Sequence, residues 1–214
     1  MDLLIEGDAL LGRVILAHGA GAAMDSEFME YVSHRLVENQ IQVVRFEFDY
    51  MHQRRSGGKK RPPDRLDRLI QAYNDVIDSF SDQVPLFLAG KSMGGRVASM
   101  VLDQSDAQAC FVFGYPFHPV GKPLTTRTDH LLALEKPLYI FQGERDPMGH
   151  MTEVNNYVLP STVQINWFED GNHDLKPRKR SGCTQSAHID SALSVMTSVI
   201  VRRHSERDVN ALES

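Results

Sequence analysis

Phe87-Leu88-Ala89-Gly90-Lys91-Ser92-Met93-Gly94-Gly95-Arg96-Val97-Ala98 is the stretch that decides the fold. It opens as a buried-type strand, breaks at glycines and resumes with residues that suit a helix. The middle reads G-x-S-x-G, and the strand before and helix after matter more than the pattern itself. A serine on so sharp a turn is held in a strained backbone with its hydroxyl above the sheet, and Gly90 and Gly94 give the crowded turn room. The same turn aims the backbone N–H of Met93, at the positive end of the helix, toward any oxyanion formed on a bound carbonyl. Ser92 is therefore the candidate nucleophile; the alternative is a glycine-rich packing turn with an idle serine.

Working outward, strand-like runs fall at residues 13–17, 41–48, 86–89, 109–113, 138–141 and 163–168. Helical spacing appears at 27–38, where Asp25 or Ser26 supplies a cap, at 66–80 and at 186–201. Residues 49–63 read as a long polar segment, and the tail after Arg202 as charged and frayed. Such alternation implies a mostly parallel sheet buried on both faces by helices, an α/β three-layer fold in one domain over 1–214. Loops after the strands then gather along one edge, where open α/β sheets bind ligands.

A serine hydroxyl needs a base to take its proton and a third group to orient that base. The loop after strand 138–141, Gln142-Gly-Glu-Arg-Asp146-Pro147, brings Asp146 to the catalytic edge. The loop after strand 163–168, Glu169-Asp-Gly-Asn-His173, brings His173 there. The order Ser, Asp, His is the one this architecture uses. Glu144, Asp170 and Asp174 are rival carboxylates, Glu144 first among them. Among the other histidines, His34 and His204 fall on helices, and His52, His130, His150 and His188 lack the strand-then-glycine setting. The second oxyanion donor belongs on the small-residue loop His18-Gly19-Ala20-Gly21-Ala22, with Ala20 first and Gly21 or Ala22 as substitutes; His18 reads as a residue that orients this loop.

Composition narrows the partners. With 42% hydrophobic and 24% charged residues the chain is globular rather than disordered, and a formal charge of −5 argues against nucleic acid. No apolar stretch approaches the roughly 18 residues of a membrane span. Acids near the N-terminus and only two cysteines, Cys110 and Cys183, fit a cytoplasmic protein without a disulfide scaffold. No histidine pair has the spacing of a zinc motif, and Gly90–Gly95 lacks the Gly-Lys-Ser/Thr ending that cradles phosphates. Acyl transfer to water needs no metal or cofactor, and none is expected.

At these residues the chain resembles the α/β-hydrolase superfamily, with matches from His18-Gly19 to His173. The short connection between Phe113 and Pro137, without room for a large lid, resembles the dienelactone-hydrolase-like branch. More narrowly, His18-Gly-Ala-Gly-Ala, Arg54-Arg55 and Phe113-Gly-Tyr-Pro-Phe-His-Pro119 are similar to a group that includes testis-expressed hydrolase-like proteins and a chromatin-complex regulatory subunit. The resemblance implies a triad of Ser92, Asp146 and His173 but supplies no reaction. Ser92 stands where dienelactone hydrolase uses cysteine, so that enzyme's substrate is not carried over.

Two basic clusters follow strands: Arg54, Arg55, Lys59, Lys60, Arg61 and Arg65, and Lys176, Arg178, Lys179 and Arg180. They suggest a positive rim favouring an anionic acyl substrate, or simply solvated loops. Tyr115 and His118, with Phe117, suggest an apolar wall, although packing explains the aromatics equally well. The expected activity is hydrolysis of a carboxylic ester or related acyl bond. The alternative is a binding or assembly module that keeps the fold without efficient catalysis.

Overall fold

The computed structural model describes residues 2–55, 57 and 61–212. Among the described residues seven strands form one sheet: β1 (Leu3–Glu6), β2 (Gly12–Ala17), β3 (Ile41–Phe46), β4 (Leu86–Lys91), β5 (Cys110–Phe113), β6 (Leu138–Gly143) and β7 (Val163–Phe168). Their spatial order is β1-β3-β2-β4-β5-β6-β7. All neighbours run parallel except β1, which pairs antiparallel with β3. The helices are α1 (Glu27–Val37), α2 (Asp49–Arg55), α3 (Leu66–Asp78), α4 (Met93–Val101), α5 (Met151–Val154) and α6 (Gln185–Leu212).

Strand alternation divides the core in two. Val14 and Leu16 of β2 and Phe87 and Ala89 of β4 point to one face, where Met29, Val32 and Leu36 of α1 and Ala192, Leu193 and Met196 of α6 cover them. Ile15, Ala17 and Leu88 point to the other, against Leu69, Tyr73 and Val76 of α3 and Val97, Ala98 and Val101 of α4. Period-2 alternation within uninterrupted apolar runs is what a sheet covered on both sides requires. Each fully buried Phe or Leu contributes on the order of 2 kcal/mol by leaving water. Tyr73 shows how its polar end is satisfied inside this core: its hydroxyl donates to the Ile15 carbonyl at 2.8 Å and accepts from the Ala89 amide at 3.2 Å.

The structure adds three elements to the sequence reading. Residues 49–63 are not wholly irregular, because Asp49–Arg55 forms α2, with Tyr50 and Met51 buried. The tail after Arg202 continues α6 to Leu212, supported by Arg203–Glu206 at 3.3 Å and Arg202–Glu206 at 4.0 Å, one turn apart. Strand β1 gave no clear signal, since its residues are half-buried or exposed; Arg45 of β3 holds it by pairing with Glu6 at 2.7 Å. The capping expectation falls on Ser26, whose side chain makes no cap hydrogen bond. The connection between β5 and β6, residues 114–137, contains only one 3-10 turn, Asp129–Ala133, and no large lid. Among the described residues no helix is long and apolar enough to cross a membrane.

Candidate active site

The turn between β4 and α4 carries Ser92 at φ 51°, ψ −113°, a conformation that costs a non-glycine residue on the order of 1–3 kcal/mol. Packing holds it there. The Ser92 amide donates to the Phe113 carbonyl at 2.9 Å, and the Arg96 amide returns to the Ser92 carbonyl at 2.9 Å. A methyl at Gly90 would lie 2.5 Å from the Gly94 carbonyl carbon, and one at Gly94 would lie 2.7 Å from the Ala17 carbonyl oxygen. Neither position admits a side chain, so the backbone crosses at closest approach and Ser92 stands clear above it.

Ser92 Oγ lies 2.7 Å from His173 Nε2, and His173 Nδ1 lies 2.7 Å from Asp146 Oδ2. A carboxylate can only accept, so Nδ1 carries the proton and Nε2 accepts from the serine hydroxyl. Asp146 is wholly buried while His173 keeps 21% of its side-chain surface. The buried carboxylate is not left unsatisfied: the Gln142 side-chain amide donates to Oδ2 and the Met148 amide to Oδ1, each at 2.8 Å. The rival carboxylates are engaged elsewhere. Glu144 accepts from the Asp170 amide at 3.0 Å, Asp170 is clasped by Arg145 and Arg178, and Asp174 pairs with Lys91 at 3.1 Å. Arg178, its main partner, holds the Asp170 carboxyl well below the usual range.

Lys91 and Gln142 are the supporting residues that the motif reading passed over. Lys91 Nζ donates to the His173 carbonyl at 2.8 Å and pairs with Asp174, so it ties the histidine loop to the end of β4. Only 12% of its side chain is exposed, and burial lowers its proton affinity while Asp174 offsets part of that. Gln142 also accepts from the Tyr115 amide at 2.7 Å, linking the Asp146 loop to the exit of β5. A polar residue at or near the end of an otherwise apolar strand was the available signal for both: Lys91 follows buried Gly90 and Gln142 follows buried Phe141.

The loop after β2 is fixed by His18. Its Nδ1 donates to the Gly19 carbonyl at 2.6 Å and its Nε2 accepts from the Phe48 amide at 3.2 Å, in a ring with no exposed surface. Burial depresses its proton affinity, keeping it neutral. The Tyr50 hydroxyl also reaches the Gly19 and Ala20 carbonyls, at 3.4 and 3.2 Å. In a trans peptide C=O and N–H oppose one another, so with the Gly19 carbonyl turned to His18 and Tyr50 the Ala20 N–H faces away from them. A methyl on Gly19 would come 3.7 Å from Ser92 Cβ, which sets this loop beside the serine. Met93, as the first residue of α4, has no carbonyl within the helix for its N–H.

The remaining expectations divide. Arg55 is not a free anion receptor: its guanidinium is held by Glu47 at 2.7 and 2.8 Å and by both Asp25 carboxylate oxygens. Arg54 is half-buried on α2, and its positive charge is felt by Tyr50 and His18. Lys59 and Lys60 lie outside the described residues. Arg61 donates to Gln53 at 2.6 Å, and Arg65 sits 3.4 Å from Asp67. In the second cluster Arg178 is committed to Asp170, while Lys176, Lys179 and Arg180 are exposed. Tyr115 and His118 are engaged within the protein. Both are buried, Tyr115 bonding the Arg127 carbonyl at 2.8 Å and His118 lying 3.1 Å from Glu153. Their strand exit turns into the core beside α5 instead of out along the edge.

Among the described residues no cluster of His, Cys, Asp and Glu has the arrangement of a metal site. The fold is similar to that of several solved structures. An alpha-beta serine hydrolase homologue from Coxiella burnetii superposes with TM-score 0.63 at 17% identity, over 94% of this chain and 90% of that one. The esterase domain of a Rhodothermus marinus protein gives TM-score 0.65 at 14% identity, over 92% and 91%. A serine hydrolase without lid from Xanthomonas campestris gives 0.58 at 17% identity, over 96% and 88%. At such identities the likeness is one of fold. Residues 11–201 match the family model described as an alpha/beta hydrolase domain, and with nearly the whole sheet inside that match the chain belongs to the α/β-hydrolase family.

Proposed function

We propose that the protein hydrolyses a carboxylic ester or related acyl bond through a Ser92–His173–Asp146 triad and an acyl-enzyme intermediate. The observation that carries this reading is the unbroken hydrogen-bond chain from Ser92 Oγ through both ring nitrogens of His173 to buried Asp146. Ser92 Oγ attacks the acyl carbon as its proton passes to His173 Nε2. Asp146 holds the ring by Nδ1 and stabilises the imidazolium that forms. The amides of Met93 and Ala20 receive the oxyanion. Collapse breaks the ester bond, and the leaving alkoxide takes the proton from Nε2. Water then attacks the acyl-serine, giving its proton to His173, and the carboxylic acid departs as Ser92 regains its hydrogen. Losing one oxyanion donor from such a site costs on the order of 3 kcal/mol of transition-state stabilisation.

The open edge, without a large lid, suits a small acyl group, which favours a carboxylesterase over a lipase. Two free cysteines, Cys110 and Cys183, fit a reducing compartment, and we place the activity in the cytoplasm. The narrower likeness to the testis-expressed and chromatin-subunit group rests on His18–Ala22, Arg54-Arg55 and Phe113–Pro119, of which His18 now has a structural reason. Intact-mass labelling with a neutral fluorophosphonate tests the reading without assuming a substrate. Stoichiometric labelling lost in Ser92→Ala and His173→Ala is the expected result. A folded wild-type protein that takes no label would overturn it in favour of a binding module on the same fold.

A further inference from the structure

Helices α1 and α6 cover one face of the sheet and are fastened to each other there: Tyr31 Oη donates to Asp190 Oδ1 at 2.8 Å and Arg35 Nε to the same oxygen at 3.2 Å. Toward the starts of the two helices lies a groove of about 240 Å³, lined by Glu27, Phe28, Tyr31, Gln185, Ser186 and Ile189. The Tyr31 hydroxyl is committed to Asp190, so its ring joins Phe28 and Ile189 in an apolar lining. Ile189 is buried, Phe28, Tyr31 and Gln185 are half-buried, and Glu27 and Ser186 are exposed at the rim. Packed proteins rarely leave such room, and an apolar hollow with a few polar groups around it is how small-molecule sites are built.

Two contacts tie this groove to the triad. The Phe28 ring meets the Phe113 ring edge-on, with centroids 5.4 Å apart, and the Phe113 carbonyl accepts the Ser92 amide at 2.9 Å. On the opposite wall Gln185 Nε2 donates to the Asp174 carbonyl at 2.8 Å, one residue beyond His173. Consecutive Cα atoms stand about 3.8 Å apart, so the Gln185 wall is anchored on the histidine loop itself. The histidine side of such a site has a defined part in the reaction. His173 Nε2 gives its proton to the leaving alkoxide, which places the leaving oxygen between the acyl carbon and the imidazole. A groove fastened to the residue after His173 is therefore on the side from which the alcohol departs.

We propose that the groove between the first turns of α1 and α6 receives the alcohol part of the ester, a neutral alcohol carrying one aromatic ring or a short alkyl chain. Size sets the upper limit. A closed apolar cavity of roughly 150 Å³ holds benzene, so this groove takes a single ring with a short linker and excludes a long chain. Phe28 and Tyr31 offer aromatic surface to such a ring, and Ile189 offers aliphatic surface. Charge sets the second limit. The lining contains no cation, and Glu27 at the rim repels an anionic group, which selects a neutral alcohol. The part played in turnover rests on the hydrolase reading of Ser92, but the binding of an alcohol in the groove does not.

The test compares benzyl acetate with ethyl acetate in wild type, Ser186→Trp and the control Ser191→Trp. Ser186 is exposed at the groove, so a tryptophan there fills it without entering the core, whereas Ser191 is exposed on α6 outside the lining. The benzyl-to-ethyl ratio of kcat/KM, taken relative to wild type, cancels the intrinsic reactivities of the two esters. It is expected to fall about tenfold in Ser186→Trp and to stay within about twofold in Ser191→Trp. Ethyl phenylacetate carries its ring on the acyl side, and a loss confined to that ester would overturn the alcohol assignment. In parallel, benzyl alcohol is titrated into Ser92→Ala with and without Ser186→Trp while the backbone amides are followed by NMR. Saturable shifts at residues 27–31 and 185–189, lost with Ser186→Trp, support the groove even if fluorophosphonate leaves Ser92 unlabelled, in which case the hydrolase reading alone fails. Saturable shifts with an unchanged ratio in a labelled enzyme overturn its part in turnover. A labelled wild type with an unchanged ratio in Ser186→Trp and no shifts at the groove overturns the site and leaves the triad standing.

Discussion

His18 and His173 stand on the same edge of the sheet, in loops after strands, and they hold the same tautomer. In each, Nδ1 donates and Nε2 accepts. Their partners differ. His18 lies between the Gly19 carbonyl and the Phe48 amide, wholly buried against Phe48 and Tyr50, with ring centroids 5.1 and 5.9 Å away. His173 lies between a carboxylate and a serine hydroxyl and remains part-exposed. A ring between two backbone groups cannot gain a proton without losing its bond from the Phe48 amide. A ring backed by a carboxylate gains one against a waiting negative charge. What a histidine does is therefore set by what its far nitrogen touches, and residue type and loop position alone do not reveal it.

The largest expected effect breaks the His173 side of the comparison. Asp146→Asn offers Nδ1 an amide and allows the wrong tautomer, so kcat on a 4-nitrophenyl ester should fall by roughly 10³ to 10⁴-fold with the fold intact by circular dichroism. A decrease of less than tenfold would show that Asp146 does not orient His173. Next, His18→Leu strands the Phe48 amide in the core and leaves the Gly19 carbonyl only its 3.4 Å contact with the Tyr50 hydroxyl. Urea unfolding should show a loss of about 1–3 kcal/mol, the cost of one unsatisfied buried group. Its kcat should fall as the loop after β2 loosens, yet the pH at half-maximal kcat/KM should stay with His173. If that midpoint moves, His18 has a part in proton transfer that its backbone bonds do not suggest.

A smaller effect sharpens the contrast between ring and backbone. Lys91→Met removes the tether on the His173 carbonyl, and a misplaced ring should lower kcat about tenfold while KM changes little. Lys91→Arg, which restores a donor of similar reach, should recover part of the rate. An unchanged kcat in Lys91→Met would make the tether irrelevant to catalysis.

The smallest effect is on stability against pH. His18 and His130 bind protons more weakly in the fold than the ordinary value near 6.5, His130 at about 4. The unfolded chain therefore holds more protons in this window, and stability rises with pH across it. Conversely, it is lost as pH falls below about 6.5, continuing to about 4 for His130. The paired carboxylates Glu6, Asp25 and Asp82 are lowered instead, so their contribution disappears only at more acidic pH. Urea midpoints between pH 7.5 and 4.5 should fall in wild type and fall less steeply in His130→Gln. Equal slopes would mean that His130 is solvated enough to titrate normally.

The alternating strands, the parallel order and the serine turn were all legible in the residues, because a buried strand needs an apolar run and the turn needs glycine where backbones meet. The three residues now joined by hydrogen bonds were named from their places after strands. Elements whose stability comes from distant partners were not legible. Leu3–Glu6 is strand because it pairs antiparallel with distant β3 and Arg45 and Ser33 hold Glu6, and Asp49–Arg55 is helix because Tyr50 and Met51 have a core to enter. The helix read over 186–201 extends to Leu212, an extension that a few i,i+4 charges do not announce in a helix docked through Met196 and Ile200.

Charge shows the same division. Sequence alone located clusters of arginine and fixed which positions fall beside strand ends, since both follow from residue type and local period. Only the tertiary structure decided which of those cations are matched by a carboxylate. Arg55 and Arg178 stand in the conspicuous runs but are matched by Glu47, Asp25 and Asp170, whereas Arg96 and Arg127, inconspicuous in the sequence, are left without a carboxylate. Ion pairing depends on distance between groups that lie dozens of residues apart in the chain, and distance is what folding sets.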